Sequence, residues 1–180
     1  MRILGLSGSL GKASASTRLL KASAKVAPGN VTIVAYEGLG SLPHFNPDLD
    51  REPSPPAVAE FRSELNCSAG VVISIMEYVN GVPGVLKNAL DWLVGSGELY
   101  EKPVALFNAA QRGTYARQSL LETLTVMTAR IIPEACAIVP VPARSVDKSA
   151  LVAGSKISKS LRSALRNFTN AILSGKNSRQ

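Results

Sequence analysis

Between Gly5 and Thr17 the chain reads Gly-Leu-Ser-Gly-Ser-Leu-Gly-Lys-Ala-Ser-Ala-Ser-Thr, a run of small and hydroxylated residues leading into an amphipathic segment. Gly8 and Gly11 let the backbone approach a ligand closely. Ser9, Ser14, Ser16 and Thr17 place hydroxyls around an expected helix N-terminus. Unbonded amides and the helix dipole at such an end favour a dianionic phosphate. A plain helix cap uses a single hydroxyl, so this set exceeds what capping requires. Three stricter fingerprints fail on particular residues. A P-loop needs Gly at position 6 and Ser or Thr at 13, where Leu6 and Ala13 stand, and the same Leu6 breaks the dinucleotide pattern G-x-G-x-x-G. A nucleophile elbow needs Gly at position 9, where Ser9 stands, and the sole histidine, His44, lies in a distant loop between Pro43 and Phe45.

A second candidate loop carries Met76, Glu77, Tyr78, Val79 and Asn80. Polar and aromatic groups in a loop are more often functional than buried. The segment that follows puts Val85, Leu86, Ala89, Leu90 and Leu93 on one helical face, which reads as core. Cys67 and Cys136 are far apart without Cys-x-x-Cys spacing, so neither a metal site nor a disulfide is indicated, and each reads as a small buried hydrophobe. Glu37, at the end of the second strand, is placed to hold a ribose if the chain binds a dinucleotide.

Alternating strands and helices must position these loops. Arg2 to Ser7 is a short apolar strand, followed by a helix from about Ser16 to Val26 that Pro28-Gly29-Asn30 stops. Val31 to Tyr36 reads as a strand. Gly38 to Pro56 reads as a long polar loop, rich in Pro, Gly, Asn and Asp. A helix is expected over Ala57 to Asn66, then a strand at Gly70 to Ile75 whose unbroken apolar run suits burial on both faces. Pro83 opens a helix to about Val94. A strand at Pro103 to Phe107, a helix at Thr114 to Arg130, a fifth strand at Ala135 to Val141 and a terminal helix complete the pattern. Five strands with helical crossovers imply a parallel sheet with helices on both faces. Ligands bind such sheets outside the carboxyl ends of the strands, so the loops after strands one, three and four are the places for chemistry.

The bulk properties narrow the classes. With 180 residues, 46% of them hydrophobic and 18% charged, the chain reads as one globular domain over residues 1–174 with a short basic tail at 175–180. No apolar run reaches the roughly 20 residues of a membrane span, so no membrane partner is expected. Met1-Arg2-Ile3-Leu4-Gly5-Leu6 leads directly into a strand with no signal-like n-region, which points to the cytoplasm. The net charge of +7 is concentrated late, where Lys156, Lys159, Arg162 and Arg166 recur at helical spacing beside the apolar stripe Ile157, Leu161, Leu165, Phe168 and Ile172. That pattern reads as a solvated helix face. With 5% aromatics and no basic-aromatic interleaving, no nucleic-acid partner is expected.

The stretch Val82-Pro83-Gly84-Val85-Leu86-Lys87-Asn88-Ala89-Leu90-Asp91-Trp92 resembles the NADPH-dependent FMN reductase family, whose pattern here is Pro-Glu-Tyr-Asn-Gly-Ser-(Ile/Val)-Pro-Gly-x-Leu-Lys-Asn-Ala-x-Asp-Trp. Gly8, Ser9 and Ser14 resemble its phosphate element. Leu42-Pro43-His44-Phe45-Asn46-Pro47-Asp48 is similar to its Leu-Pro-x-Phe-Asn-x-Asp segment, and Lys102-Pro103-Val104-Ala105 to the start of its fourth strand. Together these cover about residues 1 to 141. Departures are Gly11 at the family's arginine, with Lys12 beside it, Met76 at its proline and Val79 at its asparagine. After the fourth strand, Asn108-Ala109-Ala110-Gln111-Arg112-Gly113 stands where the family carries Ser-x-Gly and further glycines.

The resemblance implies an α/β, flavodoxin-like three-layer sandwich with a five-stranded parallel sheet in the order 2-1-3-4-5. It implies FMN held by Ser9, Ser14, Ser16 and Thr17 at the phosphate and by Met76, Glu77, Tyr78, Val79 and Asn80 at the ring. NADPH or NADH would supply hydride to flavin N5, with no catalytic side chain and no metal. A small acceptor (a quinone, free flavin, azo compound or metal oxyanion) would take the electrons. The family also implies a homodimer or homotetramer, with an apolar surface on the Gly84 to Trp92 region as one side of the contact. The competing reading is a flavin- or nucleotide-binding module without turnover.

Overall fold

The computed structural model describes residues 1–110, 114–141 and 156–177, with residues 176 and 177 described by backbone alone. Strands β1 (Arg2–Ser7), β2 (Thr32–Ala35), β3 (Val71–Ile75), β4 (Pro103–Asn108), β5 (Arg130–Ile131) and β6 (Ala137–Ile138) are joined through helices α1 (Ala15–Val26), α2 (Pro56–Asn66), α3 (Gly84–Asp91), α4 (Thr114–Val126) and α5 (Lys156–Asn177). All the sheet pairings are parallel, and the order is β2-β1-β3-β4-β5, with β6 also on β4.

The apolar strand runs have the physical consequence expected of them. Successive residues point to opposite faces, and both faces are dry. Ile3, Val72, Ala105 and Phe107 pack beneath α1 and α5 against Leu19, Leu20, Leu161, Leu165 and Phe168. Leu4, Leu6, Val71, Ile73, Val104 and Leu106 meet Phe61 and Leu65 of α2, Leu86 and Leu90 of α3, and Leu120 and Leu124 of α4. Neither α1 nor α5 carries an acidic residue, and Lys156, Lys159, Arg162 and Arg166 are exposed, as a solvated face requires. No described helix is long and apolar enough to cross a membrane.

Several boundaries differ from the sequence reading. The fifth lane of the sheet is not Ala135 to Val141 but two short strands, β5 beside Pro103 and Val104 and β6 beside Phe107 and Asn108. Between them Pro133 opens a 3-10 turn through Ala135. Proline has no N–H to donate to a ladder, so the lane breaks there. Helix α4 correspondingly stops at Val126 rather than Arg130, and Thr128 turns left-handed at φ +55°. Residues 175–177 of the expected tail continue α5, and the remainder lies outside the described residues.

The long polar loop contains 3-10 turns at Gly38–Ser41 and Pro47–Leu49, and it buries Leu39 and Leu42. Cys67 is exposed at the end of α2, contrary to the buried role expected for it. Cys136 is half-buried, donating to the Ile132 carbonyl and accepting from the Leu106 amide, and burial pushes its thiol pKa up.

Tyr36 stacks on Phe61 with centroids 5.0 Å apart, and its hydroxyl is buried without a hydrogen-bond partner among the described residues. Burial first, then the charges of Glu60 and Glu64, push its pKa up to about 12. An ultraviolet difference titration of the wild-type protein against Tyr36→Phe will therefore show the missing phenol ionising near pH 12 rather than near the ordinary value of about 10. Ionisation at the ordinary value would show that the ring does not pack as described.

Candidate functional site

The loop after β1 is held by its neighbours before any ligand is considered. The Gly8 amide donates to the Ser74 carbonyl of β3 at 2.8 Å, and a Cβ on Gly8 would stand 3.2 Å from Pro83 Cγ. Glycine thus lets the first loop lie close against the start of α3, where a side chain would crowd Pro83. Ser14 is the N-cap of α1, its Oγ accepting from the Thr17 amide at 3.2 Å. Ser14 Oγ also lies 2.8 Å from Thr17 Oγ1, which reaches Ser9 O and Ser7 Oγ. The hydroxyls of Ser14, Ser16 and Thr17 therefore form one connected cluster, to which Ser7 belongs although sequence reading had passed over it. Ser9 joins through its carbonyl, and its Oγ accepts from the Gly11 amide. The signal for Ser7 was available as the last residue of a strand entering a glycine loop.

Ser16 is placed differently from the other three. It has no exposed surface, and its hydroxyl meets Ser7 and Ser14 on the inner side of the loop. It shapes the loop from beneath. Ser9, Ser14 and Thr17 are partly exposed, and Lys12 beside them is exposed. The amides of Lys12, Ala13, Ala15 and Ser16 make no hydrogen bond among the described residues. Orphan donors of this kind at a helix start suit a phosphate dianion, so the chain's groups fit the FMN phosphate at this loop.

The loop after β3 projects as a tight hairpin. Tyr78 and Gly81 exchange backbone hydrogen bonds at 2.9 and 3.2 Å around Val79 and Asn80, whose φ values are +47° and +56°. Two central residues at positive φ define a turn that favours Asn-Gly, the pair the family pattern has here. Val79 and Asn80 thus occupy a left-handed turn to which their own side chains are less suited than Asn-Gly. A β-branched residue there is strained, typically by about 1–3 kcal/mol. Val79→Asn should accordingly raise the stability of the flavin-free protein by about 1 kcal/mol, or about 2–4 °C in Tm. An unchanged melting curve would mean the turn is not left-handed in solution.

Tyr78 and Val79 are exposed, Met76 is half-buried, and Tyr115 stands exposed at the start of α4. Glu77 is half-buried and does not project freely, since its carboxylate accepts the Ala116 amide of α4 at 2.8 Å. A carboxylate on a helix start is well stabilised, and here it ties the β3 loop to α4. That bond sets the start of α4, where Tyr115 is exposed, beside the β3 loop, and Tyr115 is an aromatic the sequence reading missed. Asn108 ends β4 with its side chain accepting from Ala110, and the rest of that loop, residues 111–113, lies outside the described residues.

The motif behind the β3 loop is largely structural. Asn88 accepts from the Phe45 amide and donates to the Pro43 carbonyl, which Trp92 Nε1 also reaches at 2.9 Å. Trp92 is fully buried, and the outward side of α3 presents Gly84 and a Lys87–Asp91 ion pair. The apolar surface expected on Gly84 to Trp92 therefore faces inward, because its side chains supply the core beneath the loop. His44 is exposed and takes no part in the site. No group of described residues could hold a metal ion.

A doubly wound parallel sheet with a phosphate-type loop after β1 and a hairpin after β3 defines a flavodoxin-like nucleotide- or flavin-binding protein. The chain belongs to the NADPH-dependent FMN reductase family, whose pattern matches residues 1–141 and so includes both loops. It is 34% identical to a quinone reductase of Escherichia coli (strain K12) over 106 residues, covering 58% of this chain and 55% of that protein. It is 30% identical to an NAD(P)H-dependent FMN reductase of Pseudomonas aeruginosa over 112 residues, 61% of this chain and 60% of the other. The chain thus spans little more than half the length of these curated relatives. Among solved structures, the flavoenzyme NAD(P)H:(acceptor) oxidoreductase FerB of Paracoccus denitrificans superposes with a TM-score of 0.83 at 25% identity, covering 96% of this chain and 97% of its own.

Proposed function

We propose that this chain is an NAD(P)H-dependent oxidoreductase that passes electrons from a nicotinamide donor through bound FMN to a small acceptor, with a quinone the best-supported class. The observation that carries the reading is the phosphate-type loop, with its unbonded amides and hydroxyl cluster, inside the segment that matches the FMN reductase family. Quinone reductases among its relatives favour a quinone over free flavin, azo compounds or metal oxyanions.

FMN, when bound, supplies the hydride-accepting chemistry, which calls for no triad or metal. The residues present do the rest. Ser9, Ser14 and Thr17 bind the phosphate with the loop amides, and Lys12 stands in for the family's arginine. Ser16 holds the loop in shape. The hairpin Tyr78–Gly81, with Met76 at its base, borders the ring, and Glu77 fixes that border to α4. The exposed side chains of Tyr78, Val79 and Tyr115 give a planar acceptor aromatic and apolar surface to stack against. The protein is further proposed to work in the cytoplasm as a homodimer or homotetramer.

Recording the absorbance spectrum of the purified protein with and without FMN, and then adding NADPH or NADH and a benzoquinone, tests this reading. Bound flavin that bleaches with the nicotinamide and recovers with the quinone is the expected result. Bound flavin that never bleaches would make the protein a carrier or sensor, and no flavin binding would overturn the proposal. Within the same reading, Met76→Pro combined with Val79→Asn pre-orders the hairpin. Sparing one residue's ordering cost, about 1–2 kcal/mol, should tighten FMN by about tenfold in a flavin titration.

A further inference from the structure

A cavity of about 170 Å³ opens from the phosphate-type loop, whose Ser7, Ser9, Lys12 and Thr17 line one end, toward the edge strand β2, where Lys21, Glu37 and Leu39 line the other. At roughly 30 Å³ per water this is room for several waters, the scale of a sugar phosphate rather than an ion. Lys12, Lys21 and Glu37 are exposed, and none of the three makes an ion pair among the described residues. With Lys12 assigned to the flavin phosphate, the β2 end offers the Glu37 carboxylate, the Lys21 ammonium group and apolar walls from Leu10 and Leu39. A carboxylate at the end of the second strand is suited to accept from a ribose diol, whereas ammonium groups suit a phosphate.

We propose that this cavity receives the ribose and phosphate of the adenosine half of the nicotinamide donor, with Glu37 accepting from the ribose 2′,3′-diol and Lys21 pairing with the phosphate. The same carboxylate opposes a ribose 2′-phosphate, so NADH is favoured over NADPH. This rests on the reading of the chain as a nicotinamide-dependent oxidoreductase. The ends of β2 and β3 are separated by two strand spacings, roughly 10 Å, so one dinucleotide can reach from Glu37 across to the β3 hairpin.

The test is calorimetric titration of the full chain with 5′-AMP and with adenosine 2′,5′-bisphosphate, for the wild type, Glu37→Gln and Lys21→Ala. The wild type should bind 5′-AMP about tenfold more tightly than the bisphosphate, the scale of one charge repulsion at a partly exposed site. Glu37→Gln should erase that preference, and Lys21→Ala should weaken both ligands. Circular-dichroism melts should be unchanged, since both side chains are exposed. Wild-type preference for the bisphosphate, or a preference that survives Glu37→Gln, overturns the proposal. Failure of both adenylates to bind while NADH still bleaches the flavin overturns it and leaves the oxidoreductase reading standing. Glu37-dependent 5′-AMP binding without flavin bleaching upholds the cavity and overturns that reading instead.

Discussion

Replacing Ser14 with aspartate is expected to weaken FMN binding by about 100- to 1000-fold while leaving the apo fold as stable as before. Ser14 caps α1 through its Oγ, and aspartate is an equally good cap that also suits the positive end of the helix dipole. The helix should therefore survive. The new carboxylate, however, would stand among the hydroxyls and open amides proposed to receive the phosphate dianion. Two like charges about 4 Å apart repel by about 4 kcal/mol at the effective dielectric of a protein surface. Ser14 is partly exposed, so screening trims that figure, and about 3 kcal/mol corresponds to the lower end of the stated range. Fluorescence titration with FMN measures it, and riboflavin, which lacks the phosphate, provides the control. Equal losses for both flavins would point to a distorted loop, and unchanged FMN affinity would remove the phosphate from this site.

The largest stability loss should come from Trp92→Ala, at about 3–5 kcal/mol. Trp92 is fully buried, lies edge-on to Phe45 at 5.2 Å and donates to the Pro43 carbonyl. Its own carbonyl accepts from Arg62 Nη2 at 2.6 Å, and Arg62 also pairs with Asp50 at 2.6 Å. Removing the indole opens a cavity and frees the segment around Pro43 from the end of α3. At about 2–4 °C per kcal/mol for a chain of this size, Tm should fall by roughly 10 °C. Trp92→Phe keeps most of the volume and loses the hydrogen bond, so it should cost far less, with about 1 kcal/mol assigned to the bond. Urea denaturation separates the variants, and a loss below 1 kcal/mol for the alanine would contradict the packing described. The effect should extend to the site, because Leu10 of the phosphate loop packs against Gly40 in the segment that Trp92 helps to anchor.

The sequence by itself determined the layers of this protein. Unbroken apolar runs such as Val71–Ile75 can be satisfied only by burial on both sides, and the stripes of α1 and α5 can be satisfied only against a sheet. The glycine-and-hydroxyl loop was legible for a related reason: a helix start exposes amides whatever lies elsewhere, so a local run of residues specifies the local chemistry. What the tertiary structure decided was the partner of each polar group. Glu77 looks like a free loop carboxylate until the amide of Ala116, remote in sequence, takes it. Ser16 looks equivalent to Ser14 until the curvature of the loop turns it inward onto Ser7. Trp92 looks available for an interface until Pro43 and Phe45 close over it. Val79 gives no sign of a left-handed backbone, since the bonds between Tyr78 and Gly81 impose a conformation its own side chain opposes. Periodicity and composition report average burial and local conformation. A hydrogen bond between distant residues instead depends on the chain path that brings them together, and no local pattern encodes that path.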